Sequence, residues 1–206
     1  VVIEVEGALT AISRFERAVR QDAPPLAMIS RVVVEPIPPV GEQGFAIISS
    51  RGGEERQAVI APDVATCADC LHEMFDPLDR RYRYAFTSCV NCGPRFTIAT
   101  DVPYERRNTT MAGFARCEAC EREYHDPADR RYHAEPICCP SCGPTLRIVM
   151  ADGEAVQGDP IVAAARLIRT GKIVALKGLG GYQLAADARD ENAAITLRAR
   201  KFREDK

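Results

Sequence analysis

The fold of this chain is decided in its centre, where CADC at residues 67–70 is followed by CVNCGP at residues 89–94. The same pattern returns fifty residues later as CEAC at 117–120 and CPSCGP at 139–144. The register also holds between the cysteine pairs, because Asp-Arg-Arg-Tyr begins at Asp79 in the first copy and at Asp129 in the second. The centre therefore consists of two copies of one small structural unit.

Each unit has the spacing of a four-cysteine zinc module, with eighteen residues between its two CxxC pairs. Two CxxC pairs can surround a tetrahedral zinc ion, and a site closed by four sulfurs is structural rather than catalytic. An iron–sulfur cluster is the alternative, whereas thioredoxin-like redox chemistry would need a βαβ pattern around a pair. The predicted ligands of two zinc ions are Cys67, Cys70, Cys89, Cys92, Cys117, Cys120, Cys139 and Cys142.

The cysteine pairs can be combined in two ways, as one zinc per repeat or as a crossed arrangement that joins the outer pairs. We favour one zinc per repeat, because a loop of eighteen residues closes at a lower entropy cost. Cys138 corresponds to Ser88 in the first repeat and is not expected to be a ligand, and its role is left open. Three histidines without a counterpart in the other repeat are expected to be surface or packing residues: His72, His125 and His133.

Two further features of the repeats carry structural expectations. Gly93 and Gly143 are expected to take positive φ and to direct a backbone N–H at a ligand sulfur. The repeated Arg-Arg-Tyr, followed by Tyr84 and Phe86 in the first copy, alternates basic and aromatic residues as a nucleic-acid surface does. We favour the other interpretation, in which the tyrosines cover the zinc sites and the arginines point outward.

Composition limits the compartment and the partners. Nine cysteines, eight of them in CxxC pairs, and the absence of a basic-then-apolar leader indicate a reducing compartment, so we expect a soluble cytoplasmic protein without a membrane span. The formal net charge is −2. Two zinc ions held by eight thiolates would move it to roughly −6. This charge does not favour nucleic acid as a partner of the whole molecule.

The amino-terminal flank combines extended and helical patterns. Residues 1–6 and 29–34 have the character of strands, as does Phe45–Ile48, and apolar residues from Leu9 to Val19 recur at helical spacing. Gly52 and Gly53, with the charged residues after them, indicate a linker at residues 51–63. The order strand, helix, strand, strand resembles the second half of an acylphosphatase domain. That family's phosphate-binding arginine has no counterpart here, so we expect no acyl phosphate hydrolysis from this flank.

The carboxy-terminal flank predicts a helix, a strand, a glycine-rich turn and a second helix. Asp159 and Pro160 are a typical helix start, and Gly171 a typical end. Residues 173–176 have the pattern of a buried strand, which runs into a glycine-rich turn at residues 177–182 where backbone amides could approach an anion. Asp190 is expected to cap a helix over residues 191–200, and cations follow at Lys201, Arg203 and Lys206, a set suited to a triphosphate.

The carboxy-terminal run resembles the opening of a YrdC-like domain, whose Lys-x-Arg-x-x-Lys pattern falls on Lys201, Arg203 and Lys206. An acylphosphatase tail, two CxxC repeats and a YrdC-like opening occur in this order in the HypF family of hydrogenase-maturation carbamoyltransferases. The resemblance implies ATP with Mg²⁺ and carbamoyl phosphate as substrates, a carbamoyl adenylate intermediate, and transfer to a cysteine of a HypE-type partner for the cyanide ligand of nickel–iron hydrogenase. It also implies that Lys177, Gly180 and Gly181 lie near the nucleotide.

The predicted fold class is α+β with several modules. The expected segments are an acylphosphatase-like part at 1–50, the linker at 51–63, zinc fingers at 64–97 and 114–147 joined by a connector at 98–113, and the YrdC-like opening at 155–206. Most of the nucleotide pocket would lie beyond these residues, so we expect this chain alone to be inactive. The alternative function is a non-catalytic zinc-ribbon module that binds protein or RNA.

Overall fold

The computed structural model describes residues 2–41, 43–47 and 60–202. The chain divides into two compact units, Val1–Ala58 and Val59–Lys206. The described elements mix helices with a small sheet, which confirms the α+β class. In chain order they are α1 (Leu9–Gln21), α2 (Ala68–Phe75), 3-10 turns at Phe96–Ile98 and Arg106–Asn108, α3 (Glu118–His125), α4 (Pro160–Arg169), β1 (Val174–Lys177), β2 (Tyr182–Ala185) and α5 (Glu191–Lys201).

Within its described residues, the first unit contains the predicted helix α1 but none of the predicted strands. Residues 2–41 and 43–47 have no strand, so the expectation at residues 1–6, 29–34 and 45–48 is wrong wherever it falls within the described residues. A strand needs a neighbour for its N–H and C=O groups, and a lone segment of strand-like sequence does not form one. The linker predicted at 51–63 lies outside the described residues up to position 59.

The two repeats fold alike. In each, the first cysteine is the N-cap of a short helix, Cys67 for α2 and Cys117 for α3. A turn follows the helix, and the residue after the turn has left-handed backbone angles, which brings the chain back against the end of the helix. This residue is Arg83 (φ 57°) in the first repeat and His133 (φ 49°) in the second. The backbone N–H of each donates to a helical carbonyl, that of Met74 at 2.8 Å or that of Tyr124 at 3.0 Å. The sequence repeat is therefore a repeat of backbone conformation.

The core of the second unit is built largely from sulfur. Cys70, Cys89 and Cys92 are fully buried and form one cluster by themselves. A second cluster surrounds Cys120 and Cys139, and a third places Tyr84 of the first repeat against Cys138 of the second. Few apolar side chains are available to replace these contacts, so the cysteines must be held together by something other than hydrophobic packing.

The two helices of the carboxy-terminal segment begin at the capping residues that the sequence predicted. The Asp159 carboxylate accepts hydrogen bonds from the backbone of Ile161 and Val162 at the start of α4, and Asp190 accepts one from Ala193 at the start of α5. The strands β1 and β2 form an antiparallel hairpin in which Lys177 pairs with Tyr182. Strand β1 was expected to be buried, but only its first residue, Val174, is buried.

Within the described residues, no helix has both the length and the apolar character that a bilayer crossing requires.

Candidate metal centres

The first centre is formed by the four cysteines of the first repeat. The Sγ atoms of Cys67 and Cys89 lie 3.7 Å apart, those of Cys89 and Cys92 3.8 Å apart, and those of Cys92 and Cys70 3.5 Å apart. The second repeat reproduces these separations, with Cys117 to Cys139 at 3.7 Å, Cys139 to Cys142 at 3.8 Å and Cys142 to Cys120 at 3.6 Å.

These separations fit a tetrahedral metal ion. Four sulfurs at a Zn–S distance of about 2.3 Å stand roughly 3.8 Å from one another at the corners of a tetrahedron. A disulfide would need about 2.05 Å, and all nine cysteines are free thiols. Each set of four lies within 4.8 Å, so each repeat could hold one zinc ion. The sulfur positions match one zinc per repeat and do not match the crossed arrangement.

In each centre one thiol has a lowered pKa and another has a raised pKa. In the first centre, the hydrogen bond with Cys89 and then the Arg130 guanidinium lower the pKa of Cys70 to about 4, while the pKa of Cys89 is raised chiefly by its hydrogen bond with Cys70. In the second, the backbone N–H of Cys120 lowers the pKa of Cys117 to about 6, and burial raises that of Cys120 to about 12. Zinc must displace the remaining protons, so acid opposes its binding.

The two glycines after the second cysteine pairs serve different purposes. Gly93 has φ +88°, as expected. Gly143 does not have positive φ, and it is required for space, since a Cβ there would lie 2.2 Å from the Tyr84 hydroxyl. Neither N–H reaches a sulfur, because Gly93 donates to the carbonyl of Val64 and Gly143 to that of Cys139. In the first repeat, the backbone N–H of Asn91 reaches a ligand sulfur, 3.4 Å from Cys89 Sγ.

The expectation that the repeated arginines point outward is wrong. Arg81 is 1% exposed and Arg131 is 3% exposed. Each side chain crosses to the other repeat, where Arg81 contacts Glu123 at 2.5 Å and Arg131 forms an ion pair with Glu73. A buried guanidinium needs polar partners, and the carboxylates that pair with these two guanidinium groups belong to the other repeat. The basic and aromatic surface that a nucleic-acid ligand would need is therefore not formed by these residues.

Cys138 and the three histidines lie outside the two sulfur groups, as expected. Cys138 is 3% exposed, and its Sγ accepts a hydrogen bond from the Tyr84 hydroxyl at 3.5 Å and donates to the Phe86 carbonyl. Cys138 thus joins the first repeat to the second. His125 is hydrogen-bonded to Glu121 at 3.0 Å and its ring packs on Tyr124, and its side chain is 62% exposed, so it is a surface residue that contacts its own helix.

Two arginines that the sequence did not single out support the centres. Arg95 donates to four carbonyls around the second cysteine pair of the first repeat, including those of Cys89 and Cys92 at 2.9 Å. Arg106 reaches from the connector to the carbonyls of Glu135, Ile137 and Phe114. The role of Arg106 became visible only in the folded structure, because the carbonyls that it contacts are brought to it from other parts of the chain.

The predicted nucleotide-binding residues are only partly described. Lys177, Gly180 and Gly181 share the turn of the hairpin, where the Gly178 N–H donates to the Gly181 carbonyl at 2.7 Å. The Lys177 ammonium lies 5.8 Å from the centroid of the Tyr182 ring. Lys201 is the last residue of α5 and is exposed, and Arg203 and Lys206 lie outside the described residues.

Two known family models match parts of this chain. The HypF finger model matches residues 66–99 and 117–149, and a model of the Sua5/YciO/YrdC family, described as telomere recombination, matches residues 166–206. Carbamoyltransferase HypF2 of Cupriavidus necator is 50% identical over 207 residues, which cover 99% of this chain and 26% of that protein. The chain belongs to the HypF family.

Other HypF proteins are similar over the same extent. The probable carbamoyltransferase HypF of Methanocaldococcus jannaschii is 46% identical over 97% of this chain and 26% of its own length. A solved structure of full-length HypF in its phosphate- and nucleotide-bound form superposes with a TM-score of 0.89 at 43% identity, covering 97% of this chain and 26% of that one. HypF of T. kodakarensis gives 0.84 at 47% identity, over 98% of this chain and 25% of its own. The chain spans about a quarter of the length of these relatives.

Metal analysis of the purified chain is expected to return two zinc ions per molecule and no visible chromophore, because each HypF-type finger offers four sulfurs at zinc spacing. Inductively coupled plasma mass spectrometry and an absorption spectrum of the same sample measure both quantities. A coloured iron-containing protein, or a folded protein without metal, would contradict the assignment.

Proposed function

We propose that this chain acts within an ATP-dependent carbamoyltransferase, which forms carbamoyl adenylate from carbamoyl phosphate and passes the carbamoyl group to a cysteine of a HypE-type protein. The observation that carries the proposal is the 50% identity to a carbamoyltransferase HypF2 over 99% of the chain. The product would serve the cyanide ligand of nickel–iron hydrogenase. The proposed location is the cytoplasm, since the zinc sites need reduced cysteines.

The hairpin and α5 are the parts of this chain that we assign to the nucleotide. Support comes from the YrdC-family match at 166–206 and from the HypF relative whose solved structure holds phosphate and a nucleotide. The turn at Gly180 and Gly181 offers exposed backbone close to Lys177, and Lys201 adds a cation at the end of α5. In this proposal, Lys177, Lys201, Arg203 and Lys206 hold the oxygens of ATP, bound with Mg²⁺, or of carbamoyl phosphate.

The zinc fingers are proposed to act as a rigid spacer rather than as a reaction centre. Each set of four sulfurs leaves no ligand position for a substrate on a tetrahedral ion. When bound, zinc would supply cross-linking and charge neutralisation. The fingers are joined by buried arginines and by Tyr84, whose hydroxyl donates to the Pro144 carbonyl at 3.0 Å. A body fixed in this way can keep two catalytic domains at a constant distance while an unstable carbamoyl intermediate passes between them.

The test is exchange of pyrophosphate into ATP, dependent on carbamoyl phosphate, in the complete protein that contains this chain. Lys201→Ala and Arg203→Ala are each expected to abolish exchange while zinc content stays at two, because the losses affect phosphate binding and not the fingers. Lys172→Ala is the control, since Lys172 is an exposed lysine on the same segment outside the proposed pattern. Exchange that survived both substitutions would remove these residues from the active site.

A further inference from the structure

At each zinc centre, two arginines of the other repeat lie next to a ligand sulfur. Arg80 Nη2 lies 3.1 Å from Cys120 Sγ and 2.7 Å from Glu123 Oε2. Fifty residues later the relation is reversed, and Arg130 Nη1 lies 3.1 Å from Cys70 Sγ while its other terminal nitrogen forms an ion pair with Glu73. The exchange is reciprocal because the two repeats face each other with the same surface.

The second arginine of each pair holds both halves of the opposite centre. Arg131 Nε donates at 3.0 Å to the carbonyl of Ser88, the residue before the ligand Cys89, while its terminal nitrogens bind Glu73 on α2. Arg81 does the same at the second centre, through the carbonyl of Cys138 at 3.0 Å and through Glu123 on α3. A single guanidinium thus ties the helix of one CxxC pair to the loop of the other.

The charge of a zinc site explains why a positively charged arginine side chain is needed beside it. A zinc ion with four thiolates carries a net charge of −2, and its desolvation inside a small module is costly unless positive groups lie close by. N–H groups of a charged donor that point at a thiolate are strong hydrogen bonds. A solvent-open cavity of about 340 Å³ is lined by all four arginines together with Glu73 and Glu123, so this part of the contact between the repeats is electrostatic.

The position of each arginine pair depends on the fold of its own repeat. The backbone N–H of Arg81 donates to the Asp79 carboxylate at 2.6 Å, and that of Arg131 donates to Asp129 at 2.7 Å. These turns lie between the two CxxC pairs of one repeat, and a bound ion holds those pairs together. Filling one centre therefore fixes the arginines that the other centre needs.

We propose that the two centres bind zinc as a coupled pair, in which Arg80 and Arg81 raise the affinity of the second centre, and Arg130 and Arg131 raise that of the first. Coupling of this kind is reciprocal, so weaker zinc binding at either centre lowers the zinc affinity of the other centre. The arginines are positioning residues, since they touch the ligands and not the ion.

The test is the order in which cysteines become reactive when zinc is withdrawn. The zinc-loaded chain is titrated with EDTA, alkylated with N-ethylmaleimide without denaturant, and mapped by peptide mass spectrometry. Arg130→Met is expected to release Cys67, Cys70, Cys89 and Cys92 first, at about 10- to 100-fold lower zinc affinity, the usual cost of losing a group that supports metal ligands. Arg80→Met is expected to release the four cysteines of the second repeat first.

The controls separate this effect from general loss of stability. Arg122→Met removes a charge from α3 itself, but the side chain of Arg122 is 67% exposed and pairs with Glu118 of its own helix, so no change in order or affinity is expected. Arg130→Lys is expected to restore part of the affinity by returning the charge without the planar donor set. Earlier release of the cysteines of the variant's own repeat, or release in the same order and at the same EDTA concentration as in the unchanged chain, would overturn the proposal. The measurement follows metal and not carbamoyl transfer, so its result is independent of the proposed enzyme activity.

Discussion

Withdrawal of zinc is expected to unfold residues 64–147. Among the described residues, the buried cluster at the first zinc site consists of Cys70, Cys89 and Cys92 with Cys67 packed against it. It has no other apolar member that could hold it together when the ion leaves. Structural zinc contributes about 10–16 kcal/mol of apparent binding free energy in small finger modules near pH 7. The net stability of a domain is about 5–15 kcal/mol, so loss of the metal exceeds what the remaining contacts can supply.

Hydrogen exchange read by mass spectrometry measures this unfolding segment by segment. After addition of EDTA, protection is expected to vanish in α2, α3 and the turns between the cysteine pairs, and to return when zinc is added back under reducing conditions. EDTA saturated beforehand with zinc is the control for effects of the chelator itself. Unchanged protection after complete removal of metal would show that the ions are not structural.

Acid is expected to produce the same unfolding by a distinguishable route. Burial alone would raise the pKa of Glu123, but hydrogen bonds from Arg81 and then Arg80 outweigh it and lower the pKa to about 2, from an ordinary value of 4.5. The stability that this lowered pKa contributes is present above pH 4.5 and is lost as the pH falls towards 2. Unfolding that begins above pH 4.5 therefore reports protonation of zinc thiolates and not the loss of this ion pair.

Cys139→Ser is expected to empty the second centre, whereas its neighbour Cys138→Ser leaves both ions bound. Cys139 Sγ lies 3.7 Å from that of Cys117 and 3.8 Å from that of Cys142, at one corner of the tetrahedron. A serine hydroxyl is a poor substitute for a thiolate on zinc. Zinc content should fall from two ions to one, with a weakened first centre because Arg130 and Arg131 lose their support.

The Cys138 variant is a matched control one residue away. Its sulfur faces Tyr84 and the Phe86 carbonyl, and a serine hydroxyl can make both hydrogen bonds. The first repeat already has a serine, Ser88, at this position, and it is equally buried at 4% exposure. Metal analysis and thermal unfolding of the two variants show which of the two cysteines is the zinc ligand. Loss of zinc from Cys138→Ser would contradict the assignment of Cys139.

The parts of the fold that were predicted from sequence depend on short stretches of chain. The caps Asp159 and Asp190 bond to N–H groups two or three residues away, so their helices could be recognised without knowledge of the rest. The strands expected at 29–34 and around Phe45 failed because a strand is completed by a distant partner. The pattern of apolar residues gives no account of whether that partner is present.

The sequence by itself determined which atoms can hold metal. The spacing within and between the CxxC pairs, repeated at an offset of fifty residues, predicted the eight cysteines that the structure brings together and set Cys138 apart. Such information is local, because two sulfurs three residues apart on a turn or helix start already face one ion. The glycine-rich turn and the helix that carries Lys201 were found in the same way, and their role at a nucleotide remains a proposal.

Only the tertiary structure decided where the repeated arginines go. The repeat of Asp-Arg-Arg-Tyr showed that Arg81 and Arg131 are equivalent, yet sequence alone placed them on the surface. Their partners Glu123 and Glu73 lie 42 and 58 residues away along the chain, in the other repeat. Each centre carries excess negative charge that its own short module cannot neutralise, and docking of two like surfaces brings the positive groups of one repeat to the thiolates of the other.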